Sequence, residues 1–248
     1  MTEKNKNSEE HEIFNVDDKK SSTIQHHDFV EIDYTGKLMD GTVFDTTIEV
    51  VAKKSGIGNE KTKFSSQVIC VGERQVLPGL DDSLEDKKVG IKYEVNISPE
   101  NAFGKRDVKK MKIVPMGTFK EHNVHPQPGL QIDVDGERGI VSRVAGGRVI
   151  VNFNHPLAGK EVVYEVEVKR KITDKAEMLS TFINSTLKIP LNKIQVSIEG
   201  EVASVKMPIQ LPEQFMAEAG KKLSELVKLK EVNFFVDKAE EKTEEKKQ

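Results

Sequence analysis

The chain has 248 residues, of which 32% are charged and 36% hydrophobic, and its formal net charge is -3. This length suits one large domain or two to three small ones. The charge argues against a general nucleic-acid binder, no apolar run approaches the roughly 20 residues that span a bilayer, and the polar start "MTEKNKNSEEHE" is unlike a secretory signal. We therefore expect a cytoplasmic protein without nucleic-acid or membrane partners.

The first part of the chain predicts a polar tail followed by a sheet and a short helix. Residues 1–27 carry few large apolar groups and are expected to be flexible. From residue 28 the alternation in "FVEIDY" and the Asp-Gly turn in "LMDGTVFD" predict a hairpin. Residues 46–63 are interpreted as a flexible excursion, and "FSSQVICVG" as a second strand. A short helix is expected from Pro78 to Gly90, and "KYEVNISPENAFG" predicts a further strand.

Residues 106–151 show a different sequence pattern, in which short β segments are separated by Asp-Gly and Gly-Gly turns. This pattern predicts a compact all-β module. The alternating segment "KEVVYEVEVKRK" follows this module, and nothing immediately before it supplies the rest of its sheet. We infer that this strand returns to the first sheet. Residues 28–105 and 152–171 would then form one domain that is opened to admit the insert 106–151.

Residues 172–236 predict a third unit with the element order α-β-β-α-β, a small α+β domain. Asp174 is placed to cap its first helix, and Gly200 to turn a hairpin. The unit has no glycine-rich clamp between helices and no aromatic pair on alternating strand positions, so a homodimer contact or contact with another polypeptide is favoured over RNA binding. The mixed charges of residues 237–248 indicate a solvated tail.

Few residues suit a disulfide or a metal site. The single cysteine, Cys70, lies in the apolar run "QVICVG" and is expected to be a buried small hydrophobe. His122 and His125 are three residues apart, but Pro126 and Pro128 oppose a helix there, and no second pair of ligands accompanies them. We expect no metal and no other cofactor.

Four blocks occur in the order "VEIDYTGKLMDGTVFDTT", "GERQVLPGLDDSL", "SPENAFGKRD" and "NHPLAGKEVVYEVEV". Together they resemble FKBP-type peptidyl-prolyl cis-trans isomerases of the SlyD-like kind, over about residues 28–171, and the C-terminal region resembles that of long archaeal members. The resemblance implies an α+β fold in which an FKBP-type antiparallel sheet wraps on a short helix. It also implies an inserted small all-β chaperone domain, termed insert-in-flap, and a C-terminal α+β domain.

The resemblance implies an apolar pocket for the prolyl ring. Its lining would be Tyr34, Phe44, Val76, Leu77, Leu80, Phe103 and Tyr164, with Asp45 at the edge. Leu80 stands where many members carry an aromatic floor, and Phe103 where a tyrosine is common, so one substrate hydrogen bond of about 1 kcal/mol is missing. Judged without the family, these side chains suit an ordinary core or hairpin equally well, and Asp45 a turn cap.

The resemblance further implies that the insert captures unfolded chain. Its apolar candidates are Ile113, Val114, Met116, Phe119, Val124 and Leu130. Exposed apolar patches that contain Met suit many unfolded segments, although the same residues could fill the insert's own core. The implied protein is an isomerase and folding chaperone whose partners are unfolded or partly folded polypeptides with Xaa-Pro bonds. The alternative is a holdase with little or no turnover.

Overall fold

The computed structural model describes residues 23–59, 62–134 and 136–236; most of the predicted N-terminal tail and the predicted C-terminal tail lie outside these ranges. The strands are β1 Phe29–Leu38, β2 Val43–Thr46, β3 Gln67–Cys70, β4 Lys92–Ile97, β5 Met111–Pro115, β6 Gln131–Val134, β7 Glu137–Ala145, β8 Arg148–Asn152, β9 Val162–Lys171, β10 Gln195–Glu199, β11 Val202–Met207 and β12 Glu231–Val236. The helices are α1 Glu49–Ser55, α2 Pro78–Ser83, α3 Met116–Glu121, α4 Lys175–Leu187 and α5 Glu213–Val227. None of the helices in the described ranges combines the length and hydrophobicity needed to cross a membrane.

The main sheet is antiparallel, with strand order β2-β1-β9-β4 and with β3 paired to the first half of β1. β9 lies between β1 and β4, so the strand after the insert returns to the first sheet, as its alternation indicates. The short helix α2 packs against this sheet through Leu80, which is 1% exposed, and Leu84 follows it into the same core. This antiparallel sheet on a short helix is the coarse fold that the sequence predicted.

The expectation of a flexible excursion over residues 46–63 is wrong for its first half, which forms α1. Ala52 is fully buried, and Gly56 closes the helix in the left-handed conformation by donating its N–H to the Ala52 and Lys53 carbonyls. Glu49 and Lys53 form an ion pair one turn apart at 2.6 Å. A two-turn helix with one buried residue leaves no periodic stripe in the sequence.

Two predicted boundaries also differ from the structure. Order begins before residue 28, because Ile24 is fully buried and its backbone N–H donates to the Lys87 carbonyl at 2.9 Å. Ile24 is a single large apolar residue in a polar stretch, so no pattern marks it. α2 ends at Ser83 rather than near Gly90, because Asp86 takes a φ of 62°, which a right-handed helix cannot contain.

The insert forms a four-stranded antiparallel sheet of order β5-β8-β7-β6, but the all-β expectation is wrong because α3 lies between β5 and β6. Pro115 precedes this helix, and Phe119, 6% exposed, packs from it onto the sheet core formed by Val141, Val149 and Val151. Six residues are too few to show a helical period. The ends of the insert meet where the Asp107 N–H donates to Asn154 Oδ1 at 2.8 Å.

The C-terminal residues form a three-stranded sheet of order β10-β11-β12, in which β11 and β12 are parallel. Asp174 caps α4 by accepting the Glu177 N–H at 2.7 Å. This unit shares a core with the back of the main sheet. Phe29 and Cys70 lie in one cluster with Leu179 of α4, a contact that the sequence patterns did not indicate.

Candidate active site

Two tyrosines from neighbouring strands form the base of the candidate site. Tyr34 on β1 and Tyr164 on β9 have ring centroids 5.6 Å apart, and both side chains are buried. Gly36 lies directly opposite Tyr164 in the strand register. A Cβ at position 36 would approach the Tyr164 ring to 2.8 Å and the Phe44 ring to 2.9 Å. Glycine at this position therefore makes room for the two rings to meet.

Aromatic contacts continue from this base to the rim. Phe44 on β2 meets Tyr164 edge to face at 5.9 Å, and it meets Phe103 in the same manner at 5.6 Å. The Phe103 ring also stacks on the His155 imidazole, with centroids 4.6 Å apart. Such edge-to-face and stacked pairs are the geometries that aromatic quadrupoles favour. A continuous series of ring contacts thus runs from Tyr34 in the sheet to the "NHPLAG" turn, and His155 is not among the site residues predicted from the sequence.

The remaining wall comes from the loop before α2. Val76 and Leu77 stand in this loop, and Pro78 starts the helix at its first position, where its missing N–H is not needed. Leu80, the third residue of the helix, is almost fully buried and lies in the same cluster as the rings. The seven apolar residues predicted from the resemblance belong to one cluster: Tyr34, Phe44, Val76, Leu77, Leu80, Phe103 and Tyr164.

Asp45 is the acidic group beside this cluster, and the Tyr34 hydroxyl donates a hydrogen bond to its carboxylate. Burial raises the pKa of Asp45 above its ordinary value, and the Tyr34 bond offsets part of this rise. Burial also raises the pKa of Tyr34 and Tyr164, and the Asp45 carboxylate raises both further. Both phenols therefore keep their protons at neutral pH and remain hydrogen-bond donors.

Buried hydroxyls after Asp45 hold β2 against β1, which the sequence analysis did not single out. Thr47 Oγ1 accepts the backbone N–H of Tyr34 at 2.9 Å, and the hydroxyls of Thr35 and Thr46 lie 2.9 Å apart. Thr46 Oγ1 also accepts the Ile48 N–H at 3.1 Å. The turn is capped by Thr46, and the Asp45 carboxylate is left beside Tyr34. The "DTT" triplet in the sequence was the available signal.

The six client-binding candidates of the insert fall in different environments. Ile113 is 62% exposed, Phe119 is buried in the insert's core, and the other four are half-buried against that core: Val114, Met116, Val124 and Leu130. A largely apolar cleft of about 130 Å³ is lined by Val114, Thr118, Phe119, His122, Val124, Ile132, Asp133 and Val134. The structure therefore brings three of the six candidates to one cleft and leaves Ile113 open to solvent.

Across the described ranges, no group of three or more His, Cys, Asp or Glu residues is arranged to hold a metal ion. Cys70 is buried, which confirms the expectation of a small hydrophobe, and burial raises its pKa to about 12.

Comparison with known proteins gives the following matches. The family model described as "FKBP26, IF domain" matches residues 112–157. A short-type peptidyl-prolyl cis-trans isomerase of Methanocaldococcus jannaschii is 32% identical over 146 residues, which cover 59% of this chain and 92% of that protein. The FKBP-type isomerase SlyD of Aeromonas hydrophila is 31% identical over 153 residues, covering 61% and 66%. A 16 kDa FKBP-type isomerase of Escherichia coli is 27% identical over 153 residues, covering 60% and 93%.

Proposed function

The chain belongs to the FKBP-type peptidyl-prolyl cis-trans isomerases, and on that premise we propose that it rotates Xaa-Pro bonds in the cluster around Tyr164 while its insert holds unfolded polypeptide. The enzyme class follows from the family. The assignment of the pocket residues and the chaperone role of the insert are the proposal. Its partners would be unfolded or partly folded polypeptides that contain Xaa-Pro bonds.

Prolyl isomerisation requires a suitable binding environment and no reactive side chain. The amide must pass through a twisted state against a barrier of roughly 18–20 kcal/mol, and no covalent bond is made or broken. In the twisted state the carbonyl and nitrogen no longer share charge, so a dry apolar site stabilises it relative to the planar amide. A site of this kind needs rings to hold the pyrrolidine and a few fixed polar groups to orient the chain.

The observation that carries the proposal is the ring cluster with one acid beside it. Phe44 meets both Phe103 and Tyr164 edge to face. Phe44 and Phe103 are partly exposed, whereas Tyr164 and Leu80, in the same cluster, are 2% and 1% exposed. The Asp45 carboxylate lies beside this cluster, where it interacts with the Tyr34 hydroxyl and the Thr46 backbone. Asp45 is half-buried, and a buried carboxylate without a polar partner would be costly. Its interaction with Tyr34 reduces this cost, so the charge can stay beside the rings, where it can orient the substrate.

The position of the insert supports its role as a client holder. The chain enters the insert just after Phe103 and leaves it just before His155, and these two rings stack on each other. The Gly159 N–H also donates to the Gly104 carbonyl at 2.8 Å across the same junction. A polypeptide held in the insert's apolar cleft would therefore stay near the pocket, and its high local concentration would compensate for weak pocket affinity.

A holdase without turnover is the second candidate, and the pocket itself supplies the observation that favours it. Phe103 offers no hydroxyl to a substrate carbonyl, and Leu80 gives a smaller base than an aromatic ring. The deciding experiment is exchange NMR on a short Xaa-Pro peptide. It would use the whole protein and a variant in which a short Gly-Ser loop replaces residues 108–153, because Asp107 and Asn154 already lie in contact.

If both proteins accelerate peptide exchange, and only the whole protein speeds refolding of a proline-limited protein, the pocket and the insert have the separate roles proposed. If neither acts on the peptide while the whole protein still suppresses aggregation, the holdase replaces the isomerase. An insert-free variant that matches the whole protein in the refolding assay would contradict the chaperone role.

We also propose a homodimer through the C-terminal unit. β12 forms one edge of its sheet within the described residues, and Phe235 on that strand is 48% exposed beside a partly exposed Val236. An open edge with apolar side chains favours pairing with another chain. Sedimentation equilibrium should show a dimer that Phe235→Glu converts to a monomer; a monomeric wild type would refute this contact.

A further inference from the structure

One short loop connects the C-terminal unit with the candidate pocket. Residues 71–77 join β3 to α2, and at the end of this loop Val76 and Leu77 belong to the pocket cluster. Just before it, Cys70 is fully buried in the other cluster, together with Leu179 and Ile183 of α4. Val71, the first residue of the loop, lies in the same cluster as Val76 and Leu77, so the loop begins where the two cores meet. A change at Cys70 is therefore separated from Val76 by only a few residues.

Gln75 ties this loop to α4. Its amide oxygen accepts the Cys70 N–H at 2.7 Å, and its amide nitrogen donates to the Ser185 hydroxyl. Because a backbone N–H can only donate, the amide oxygen must face Cys70, and the nitrogen must face Ser185. The Ser185 hydroxyl donates in turn to the Phe182 carbonyl at 2.9 Å. Both ends of the Gln75 amide are thus used, and the next residue in the chain is Val76.

A second tie reaches the same loop from α5. The Lys222 ammonium pairs with the Glu73 carboxylate, whose side chain is only 10% exposed, and His27 lies 3.8 Å from the other carboxylate oxygen. A carboxylate this shielded is screened less than one on the open surface. Both long helices of the C-terminal unit therefore contact the loop that carries the pocket wall.

We propose that Gln75 is a positioning residue for the isomerase, through which Ser185 of the C-terminal unit sets the place of Val76 and Leu77 in the pocket wall. The proposal rests on the isomerase pocket proposed above. A C-terminal unit seated on the main sheet holds the wall in its binding position, and loss of the tie lets the wall retreat from the prolyl ring. Substrate affinity is then coupled to a unit that does not touch the substrate.

The test compares Ser185→Ala with Ser180→Ala in the full-length protein. Both serines lie on α4 and donate to the carbonyl three residues earlier, but only Ser185 reaches the loop. Alanine favours a helix, so neither change should unfold the protein. With a short Xaa-Pro peptide we expect Ser185→Ala to raise KM about five-fold, the factor that one ordinary hydrogen bond represents, with kcat within about two-fold. Ser180→Ala should match wild type, and Ser185→Thr, which keeps the hydroxyl, should restore KM.

A double-mutant cycle isolates the pair. Gln75→Met keeps the length of the side chain and removes both hydrogen bonds, so Ser185→Ala should add nothing to the KM of this variant. Peptide Kd from NMR titration provides the same comparison without turnover. The inference fails if Ser185→Ala matches Ser180→Ala, or if its effect persists fully beside Gln75→Met. A wild type that binds the peptide without turning it over would instead refute the isomerase proposal, and Kd would still decide the role of Gln75.

Discussion

The imidazole of His155 stacks on the ring of Phe103 with centroids 4.6 Å apart and planes within 2° of parallel. These two residues lie on either side of the insert in the chain, so their contact closes the base of the insert at the rim of the pocket. The Leu157 N–H approaches His155 Nδ1 at 3.2 Å and helps to fix the plane of the imidazole. The stack therefore links the position of the insert to the position of Phe103, a ring of the proposed pocket.

Removing the imidazole should weaken the pocket more than the fold. We expect His155→Ala to lower kcat/KM for a short Xaa-Pro peptide about three- to ten-fold, the range that a stacked aromatic pair represents. His155→Phe retains a flat ring and should retain most of the activity. His125→Ala, at an exposed position of the insert, is the matched control. Equal losses in His155→Ala and His125→Ala would argue against a role for the stack.

Gly36 should be intolerant of even one methyl group. Gly36→Ala places a Cβ within 3 Å of the Tyr164 and Phe44 rings, so these rings must move. Overpacking of this kind lowers the free energy of unfolding by about 1–3 kcal/mol. Because the displaced rings belong to the proposed pocket, we expect kcat/KM to fall by a factor that corresponds to at least the same free energy. Urea unfolding and the peptide assay measure the two effects. Gly117→Ala, where a Cβ meets no atom within 4 Å, should leave both unchanged or slightly raise stability.

The grouping of the seven apolar candidates in one cluster could be predicted only from the order of the four sequence blocks, because each residue alone suits an ordinary core equally well. The "VFDTT" and "VLPGL" blocks each carry several residues of this cluster. The alternation of β9 correctly placed Tyr164 in the main sheet. The helix α3 could not be predicted, because six residues around Phe119 show no period. The packing of α4 against Cys70 could not be predicted either. The strand that carries Cys70 and the helix α4 each showed an apolar pattern, but such a pattern does not reveal which other apolar surface an element packs against.

Asp45 should make the protein less stable as the pH rises, which is the opposite of the usual effect of an Asp or Glu carboxyl. Its folded-state pKa is raised by burial, so the folded protein binds a proton more tightly than the unfolded chain does. This contribution to stability is full below the ordinary carboxyl pKa and is lost as the pH rises through the folded-state pKa. Asp45→Asn removes the buried charge, and the amide oxygen can still accept from Tyr34. We therefore expect the variant to be more stable than wild type at pH 7.

The advantage of Asp45→Asn should vanish in acid, where Asp45 is already protonated, and urea unfolding across pH measures it. Asp40 provides the contrast, because hydrogen bonds from Thr42 lower the pKa of this exposed carboxyl. Asp40→Asn should not stabilise the protein at pH 7. An Asp45→Asn variant that is less stable than wild type at pH 7 would show that the Tyr34 bond outweighs the cost of burial.

Cys70 should report on the contact between the main sheet and the C-terminal unit. The thiol is fully buried in their shared core, and burial raises its pKa to about 12, so the native protein contains almost no reactive thiolate at pH 8. Iodoacetamide should label Cys70 only when the two units separate or unfold, and labelling in urea should be rapid. Fast stoichiometric labelling of the native protein would show that the two units come apart readily.

Ile113 and Phe119 should separate client binding from the insert's own stability. Ile113 is 62% exposed on β5, so Ile113→Ser removes apolar surface at little cost to the fold. We expect this variant to suppress aggregation of an unfolded protein less well, with an unchanged unfolding midpoint and unchanged peptide turnover. Phe119 fills the core, and Phe119→Ala should cost about 3–5 kcal/mol in the insert.

The control for Ile113→Ser is Lys120→Ser, a change of an exposed residue in the same insert that removes no large apolar side chain. If Ile113→Ser suppresses aggregation as well as wild type, Ile113 is not a client contact, and the half-buried cleft beside Phe119 is left to account for client binding. Hydrogen exchange in the insert measures the Phe119→Ala effect directly, because a loss confined to this module leaves the protection of β1 and β9 unchanged. A loss of protection in β9 as well would show that the insert and the main sheet unfold together.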